Sequence, residues 1–96
     1  MTNLLEETIE ILENHNKTEN DVLFCALDGY FTFEKFKELA RNINYDSGYG
    51  LAEIADVVVV GDDWWLERAE YDGSEWWEFK TIPIKPDKEE LNPRLF

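Results

Sequence analysis

The spacing of hydrophobic positions along this chain switches between a helical and a strand-like period, and the switches mark its predicted elements. Leu5, Ile9 and Leu12 recur at helical spacing while Glu6, Glu7, Glu10 and Glu13 sit off that seam, which predicts an amphipathic helix with an acidic outer face. Thr2 or Asn3 can cap it, Asn3 with Glu6 three residues on having the spacing of a capping box, and the helix should stop within Asn14-His15-Asn16-Lys17. Val22 to Leu27 reads as a short strand closed by Asp28-Gly29, with Tyr30 and Phe31 beginning a return strand. Thr32 then caps a second helix with Phe33, Phe36, Leu39, Ala40 and Ile43 on one face and Lys35, Lys37, Glu38 and Arg41 facing outward. The glycine-bearing loop Tyr45-Asp46-Ser47-Gly48-Tyr49-Gly50 leads into about one helical turn at Leu51 to Ala55. Val57 to Val60 is a continuous β-branched run, as expected of a strand central in a sheet.

The stretch from Trp64 to Phe79 holds all four tryptophans in two adjacent pairs on either side of Asp72-Gly73, so each pair puts one indole on each face of a strand. Asp-Gly between aromatic-rich runs signals a hairpin, because a tight type I′ turn needs positive φ at both central residues. With Tyr71 opposite Ser74 and Arg68 opposite Trp77, Trp64, Leu66, Trp77 and Phe79 share one face, which reads as core. The other face carries Trp65, Ala69, Tyr71 and Trp76 among Glu67, Glu78 and Lys80. A one-residue slip mixes the two sets. The unslipped register opposes Glu70 to Glu75 and Glu67 to Glu78, an unfavourable arrangement that either Arg68 and Lys80 relieve or the function uses.

The predicted fold class is α+β. An antiparallel sheet, made of a three-strand C-terminal meander plus a short N-terminal hairpin, has two amphipathic helices on one face. Residues 1–96 read as a single domain, with Pro83 ending the last strand and 83–96 forming an extended, partly mobile tail. Two helices can cover one face of such a sheet, which leaves the Trp65/Tyr71/Trp76 face for a partner or for that tail.

Charge changes the picture most. Nine lysines and arginines face twenty-two acids, giving a net charge of −13 and a pI of about 4.2. Such a surface repels nucleic acid and anionic membranes and attracts basic surfaces. Hydrophobic residues at 44% place the chain among folded proteins rather than disordered acidic tails. The N-terminal MTNLLEETIE lacks the basic and apolar regions of a signal peptide, and no apolar run approaches the ~20 residues of a transmembrane helix, so a cytoplasmic protein is expected.

Little catalytic chemistry is on offer, and a non-enzymatic protein without cofactor or metal is expected. His15 is the single histidine and is read as a surface residue at a helix end. Cys25 is the single cysteine, too few for a disulfide, and its apolar neighbours read as a buried thiol. Asp62-Asp63, or Asp46 with Asp56, could hold a divalent ion, but the oxygen ladder of a calcium loop is missing.

Two readings follow. In the first, the chain is an acidic inhibitor or decoy whose partner is a basic nucleic-acid-handling protein, with Trp65, Tyr71 and Trp76 as anchors and Glu67, Glu70, Asp72, Glu75 and Glu78 as the charged surface. In the alternative it is a structural or assembly protein that homodimerises or docks through the same aromatic face. Along Gly61-Asp62-Asp63-Trp64-Trp65-Leu66-Glu67-Arg68 and Glu70-Tyr71-Asp72-Gly73-Ser74-Glu75-Trp76-Trp77 the chain resembles small proteins encoded by phages and prophages of Gram-positive bacteria. The resemblance reaches back through Tyr45 to Gly50 and so covers roughly the C-terminal half. Small acidic phage proteins of this kind include inhibitors of host defence, among them anti-CRISPR proteins, some of which block Cas9-type nucleases. The resemblance implies a counter-defence role in a bacterial host cell, against effectors that hold nucleic acid in positively charged channels. It carries over no catalytic residue.

Overall fold

A computed structural model describes residues 1–46, 48 and 53–95. The first helix, α1, spans Leu4–Asn14, and the Asn3 side chain caps it by accepting the Glu6 N–H at 3.0 Å. Its other end closes within the expected tetrapeptide. Asn16 takes a φ of 58°, its N–H donates to Glu13 O at 3.0 Å, and the Lys17 N–H donates to Leu12 O at 2.9 Å. This is a Schellman closure with asparagine where glycine is usual. Before α1, Thr2–Asn3 forms strand β1. After it come a 3-10 turn at Glu19–Asp21, strand β2 (Phe24–Ala26), strand β3 (Tyr30–Phe31) and helix α2 (Phe33–Ala40), capped by Thr32 Oγ1 accepting from Lys35 N–H at 3.1 Å. Strands β4 (Asn44–Tyr45), β5 (Val58–Val60), β6 (Trp64–Tyr71) and β7 (Ser74–Thr81) complete the order.

An α+β fold with two helices and antiparallel sheets is observed, as the periodicity implies. β2 pairs with β5 as well as with β3, so the first hairpin and the C-terminal strands form one five-stranded sheet in the order β3-β2-β5-β6-β7. A second, two-stranded sheet pairs β1 with β4 and ties the start of α1 to the segment after α2. No periodicity announces it, because each of its strands is two residues long. The β6–β7 register is the expected one, with Tyr71 against Ser74, Arg68 against Trp77, Glu67 against Glu78 and Glu70 against Glu75. Asp72 and Gly73 take φ of 50° and 86°, the left-handed values that a two-residue hairpin loop demands.

Both helices lie on the sheet face that carries Cys25, Val59, Leu66 and Trp77, and the core forms there with Leu4, Leu12, Phe33, Phe36, Ala40, Tyr45, Val57 and Trp64. β5 is the middle strand, and Val59 at its centre is fully buried. Gly61 turns the chain from β5 into β6 where a Cβ would overlap the Trp64 indole, so glycine is required there for space.

Three expectations are corrected. The buried seam of α1 is Leu4, Thr8 and Leu12, with Leu5, Ile9 and Ile11 packed at its margins, and Glu7 turns inward rather than outward. α2 buries Phe33, Phe36 and Ala40 but leaves Leu39 exposed, and it ends before Ile43, which is exposed beyond it. No helix runs through Glu53 to Ala55, while Ser47, Tyr49, Gly50, Leu51 and Ala52, to which part of the predicted loop and helical turn was assigned, lie outside the described residues, as does Phe96. From Pro83 to Leu95 the chain is exposed and carries no regular element.

Candidate partner-binding surface

Alternation along β6 and β7 places Arg68 and Glu75 on the helix-facing side, with Arg68 opposite Trp77 and Glu75 next to Trp77 on that face of β7. There Arg68 Nη1 donates to Glu7 Oε1 at 3.1 Å, and Nη2 donates to Glu75 Oε1 at 3.1 Å and to the Tyr45 hydroxyl at 2.9 Å. Tyr45 in turn donates to Glu7 Oε1 at 2.6 Å. The guanidinium also lies over the Trp77 ring, 4.7 Å from its centroid. Burial opposes the Arg68 charge, yet the Tyr45 and Glu7 contacts outweigh it and push its pKa above the ordinary value. Burial, reinforced by the bond to Glu7, pushes the Tyr45 phenol up to about 12 against the opposing effect of Arg68.

Glu75 also accepts the Glu53 N–H at 2.6 Å and the Ile54 N–H at 3.2 Å, which fixes the segment leading into β5 against the hairpin. The Trp77 indole donates to Thr8 Oγ1 at 2.9 Å, and Thr8 donates to Leu4 O at 2.7 Å. These bonds hold the hairpin against α1 and β4 through its inner face, so the outer face is presented on a rigid frame.

Among the described residues, no helix lies over the outer face. The ladder lines up Phe24, Val60, Trp65 and Lys80 in one row across β2, β5, β6 and β7. The next row runs from Tyr30 through Ala26 and Val58 to Glu67 and Glu78. Beyond it Ala69 lies beside Trp76 and Tyr71 beside Ser74. Tyr71 and Tyr30 are exposed at 77% and 81%, Trp76 and Phe24 each at 36%, and Trp65 is half-buried between its neighbours. Lys80 Nζ lies 2.9 Å from Glu78 and 3.9 Å from Glu67, so one lysine relieves the facing glutamates. The hydrogen bond from Lys80 lowers the Glu78 pKa and raises that of Lys80.

Of the residues singled out by sequence, Trp65, Glu67, Tyr71, Trp76 and Glu78 share this face. Asp72 sits at the hairpin tip and Glu70 on the helix side near it, both exposed. Glu75 does not belong to the surface. It is 4% exposed and its carboxylate is engaged by Arg68 and two backbone amides. Arg68, Glu7 and Tyr45 were not singled out as site residues. A signal for Arg68 was present, since it shares the apolar stripe of Trp64 and Leu66, just as Glu75 shares that of Trp77 and Phe79. Phe24 and Tyr30 join the face because β2 pairs with β5, a contact that local periodicity does not encode.

His15 stacks on Phe79 with ring centroids 4.1 Å apart, and its Nδ1 lies 3.1 Å from Ile11 O. Cys25 is enclosed between Phe31 and Val59, and burial pushes its thiol up to about 12. Among the described residues no group of three or more His, Cys, Asp or Glu is arranged to hold a metal ion, and no helix is long and apolar enough to cross a membrane. Comparison with known proteins gives no matching family model, no matching curated protein and no matching solved structure.

Proposed function

We propose that this chain is an acidic inhibitor that docks on a basic, nucleic-acid-handling protein of its bacterial host through the outer face of the five-stranded sheet. The observation that carries the reading is that face itself: a sheet surface bearing Trp65, Tyr71, Trp76, Phe24 and Tyr30, over which none of the described helices lies, on a chain of net charge −13. Aromatic side chains on a rigid frame supply desolvated anchors. The surrounding charge supplies steering: twenty-two carboxylates face nine lysines and arginines, and Glu70, Asp72, Asp62, Asp63 and Asp56 are exposed beside the sheet. The resemblance of the C-terminal half to phage and prophage proteins supports a counter-defence role. A Cas-type nuclease, whose positive channel accepts DNA or guide RNA, is the kind of partner that such an acidic surface suits.

The test is capture from a Gram-positive bacterial lysate on the immobilised chain, followed by challenge with short duplex DNA and with structured RNA. The reading expects a basic nucleic-acid-binding protein that is released by added nucleic acid and captured less as salt rises. Capture only of proteins that nucleic acid does not displace contradicts it. A second reading, docking on a non-basic partner, is favoured by the apolar corner of Leu23, Phe24 and Tyr30. It predicts capture that is indifferent to salt and to nucleic acid.

A further inference from the structure

The two edges of the five-stranded sheet differ. β3 is two residues long, whereas β7 runs from Ser74 to Thr81 in one-to-one register with β6 and, among the described residues, has a strand neighbour on one side only. The ladder fixes which backbone groups of β7 point outward. The Ile82 N–H donates to Asp63 O at 3.2 Å, in step with the even-numbered residues of β7 turning their amides toward β6. The amides and carbonyls of Trp77, Phe79 and Thr81 therefore face away from the sheet. No bulge or proline interrupts this edge before Pro83, although such devices are how sheets usually discourage lateral pairing.

We propose that β7 pairs antiparallel with β7 of a second copy of this chain, about a two-fold axis at Phe79, joining the two sheets into one. Outward-facing residues must meet outward-facing residues, so the axis passes through a residue and not between two. An axis at Glu78 sets glutamate against glutamate, and one at Lys80 sets lysine against lysine; both are disfavoured. An axis at Trp77 brings no opposite charges together. At Phe79, Glu78 of each copy lies opposite Lys80 of the other, and the symmetry repeats the pair. The same register lays Trp76 opposite Ile82, which is 58% exposed in the single chain. It also ends the ladder at Pro83, which has no N–H to give. Lys80 already bonds Glu78 of its own strand at 2.9 Å, so the pairing shares a contact that the side chains are placed to make. Trp65, Phe24 and Tyr30 stay uncovered in this dimer, which shares only Trp76, Glu78 and Lys80 with the proposed docking face.

Sedimentation equilibrium of the full chain tests it, with circular dichroism to confirm that each variant is folded. The wild type should form a dimer. Lys80→Glu should weaken it at least about tenfold, since two attractive pairs become repulsive. Combining Glu78→Lys with Lys80→Glu should restore most of that loss. Thr81→Pro should also weaken the dimer while leaving the fold intact, because it removes an outward amide at an exposed strand end that the β6 ladder does not use. A wild type that stays monomeric up to about 1 mM overturns the proposal. So does a dimer that survives both Lys80→Glu and Thr81→Pro, or one that the charge exchange fails to restore. A dimer abolished by Trp65→Ala but not by Lys80→Glu assigns the association to the outer face and overturns it too.

Discussion

At Arg68 a full positive charge lies inside the protein, on a side chain 3% exposed, held between Glu7 and Glu75. The value of such an ion pair is easily overstated, because desolvation offsets much of its attraction. Removing one member is another matter. Arg68→Met leaves two carboxylates facing a hydrophobic core and is expected to cost about 3–5 kcal/mol, read as a fall in the urea midpoint at unchanged slope. Replacing the set together, Arg68→Met with Glu7→Gln and Glu75→Gln, should recover a large part of that loss. If the single and triple variants are equally unstable, the charges are not what Arg68 satisfies. Alternation implies the inner face for Arg68 and Glu75, which reading Glu75 as part of the docking surface overlooked. It could not supply Glu7 or Tyr45, which arrive from α1 and β4 across more than twenty positions of chain.

Among the elements, the C-terminal hairpin was the most legible, because a two-residue loop of known chirality sets the register and the register sets both faces. The helices were read less well, and for a geometric reason. Leu39 sits about 60° around α2 from Phe36, outside the arc that Phe33, Phe36 and Ala40 bury. In α1 the seam is rotated toward Thr8, whose hydroxyl accepts from the Trp77 indole, a polar demand that a hydrophobic count overlooks. The β1–β4 pairing and the closure of β2 on β5 are long-range contacts with no local signature. The end of α1 falls within the expected tetrapeptide Asn14 to Lys17, and it makes a prediction at this scale. Asn16 holds the left-handed position of the Schellman closure, so Asn16→Ala should lower stability by about 1 kcal/mol, whereas Asn16→Gly should be neutral or slightly stabilising. Thermal or urea unfolding of the pair checks it, and an alanine variant as stable as the glycine variant contradicts it.

For the molecule as a whole, the largest fact is the mismatch between a compact, aromatic-rich sheet and a charge of −13. That charge opposes folding through self-repulsion and favours association with basic partners. Two buried groups add a pH limit on the alkaline side. The Cys25 thiol is raised from 9.0 to about 12 by burial, and the Tyr45 phenol from 10.0 to about 12, again chiefly by burial. Both folded values lie above the unfolded ones, so their contribution is fully present below pH 9.0 and is lost as pH rises toward about 12. Stability measured by urea should hold up to about pH 9 and then decline, and Cys25→Ala should make the decline shallower. A stability curve that is flat to about pH 11 contradicts the burial of these groups. The central claim remains the outer face of the sheet. Its most direct test is capture of the host partner by the wild type and by Trp65→Ala/Trp76→Ala, two substitutions on the uncovered side that leave the Arg68 network and the core intact. The account predicts at least about a tenfold loss of capture by a variant that folds normally, as expected when two aromatic anchors are removed. Equal recovery of the same partner by both proteins would contradict it.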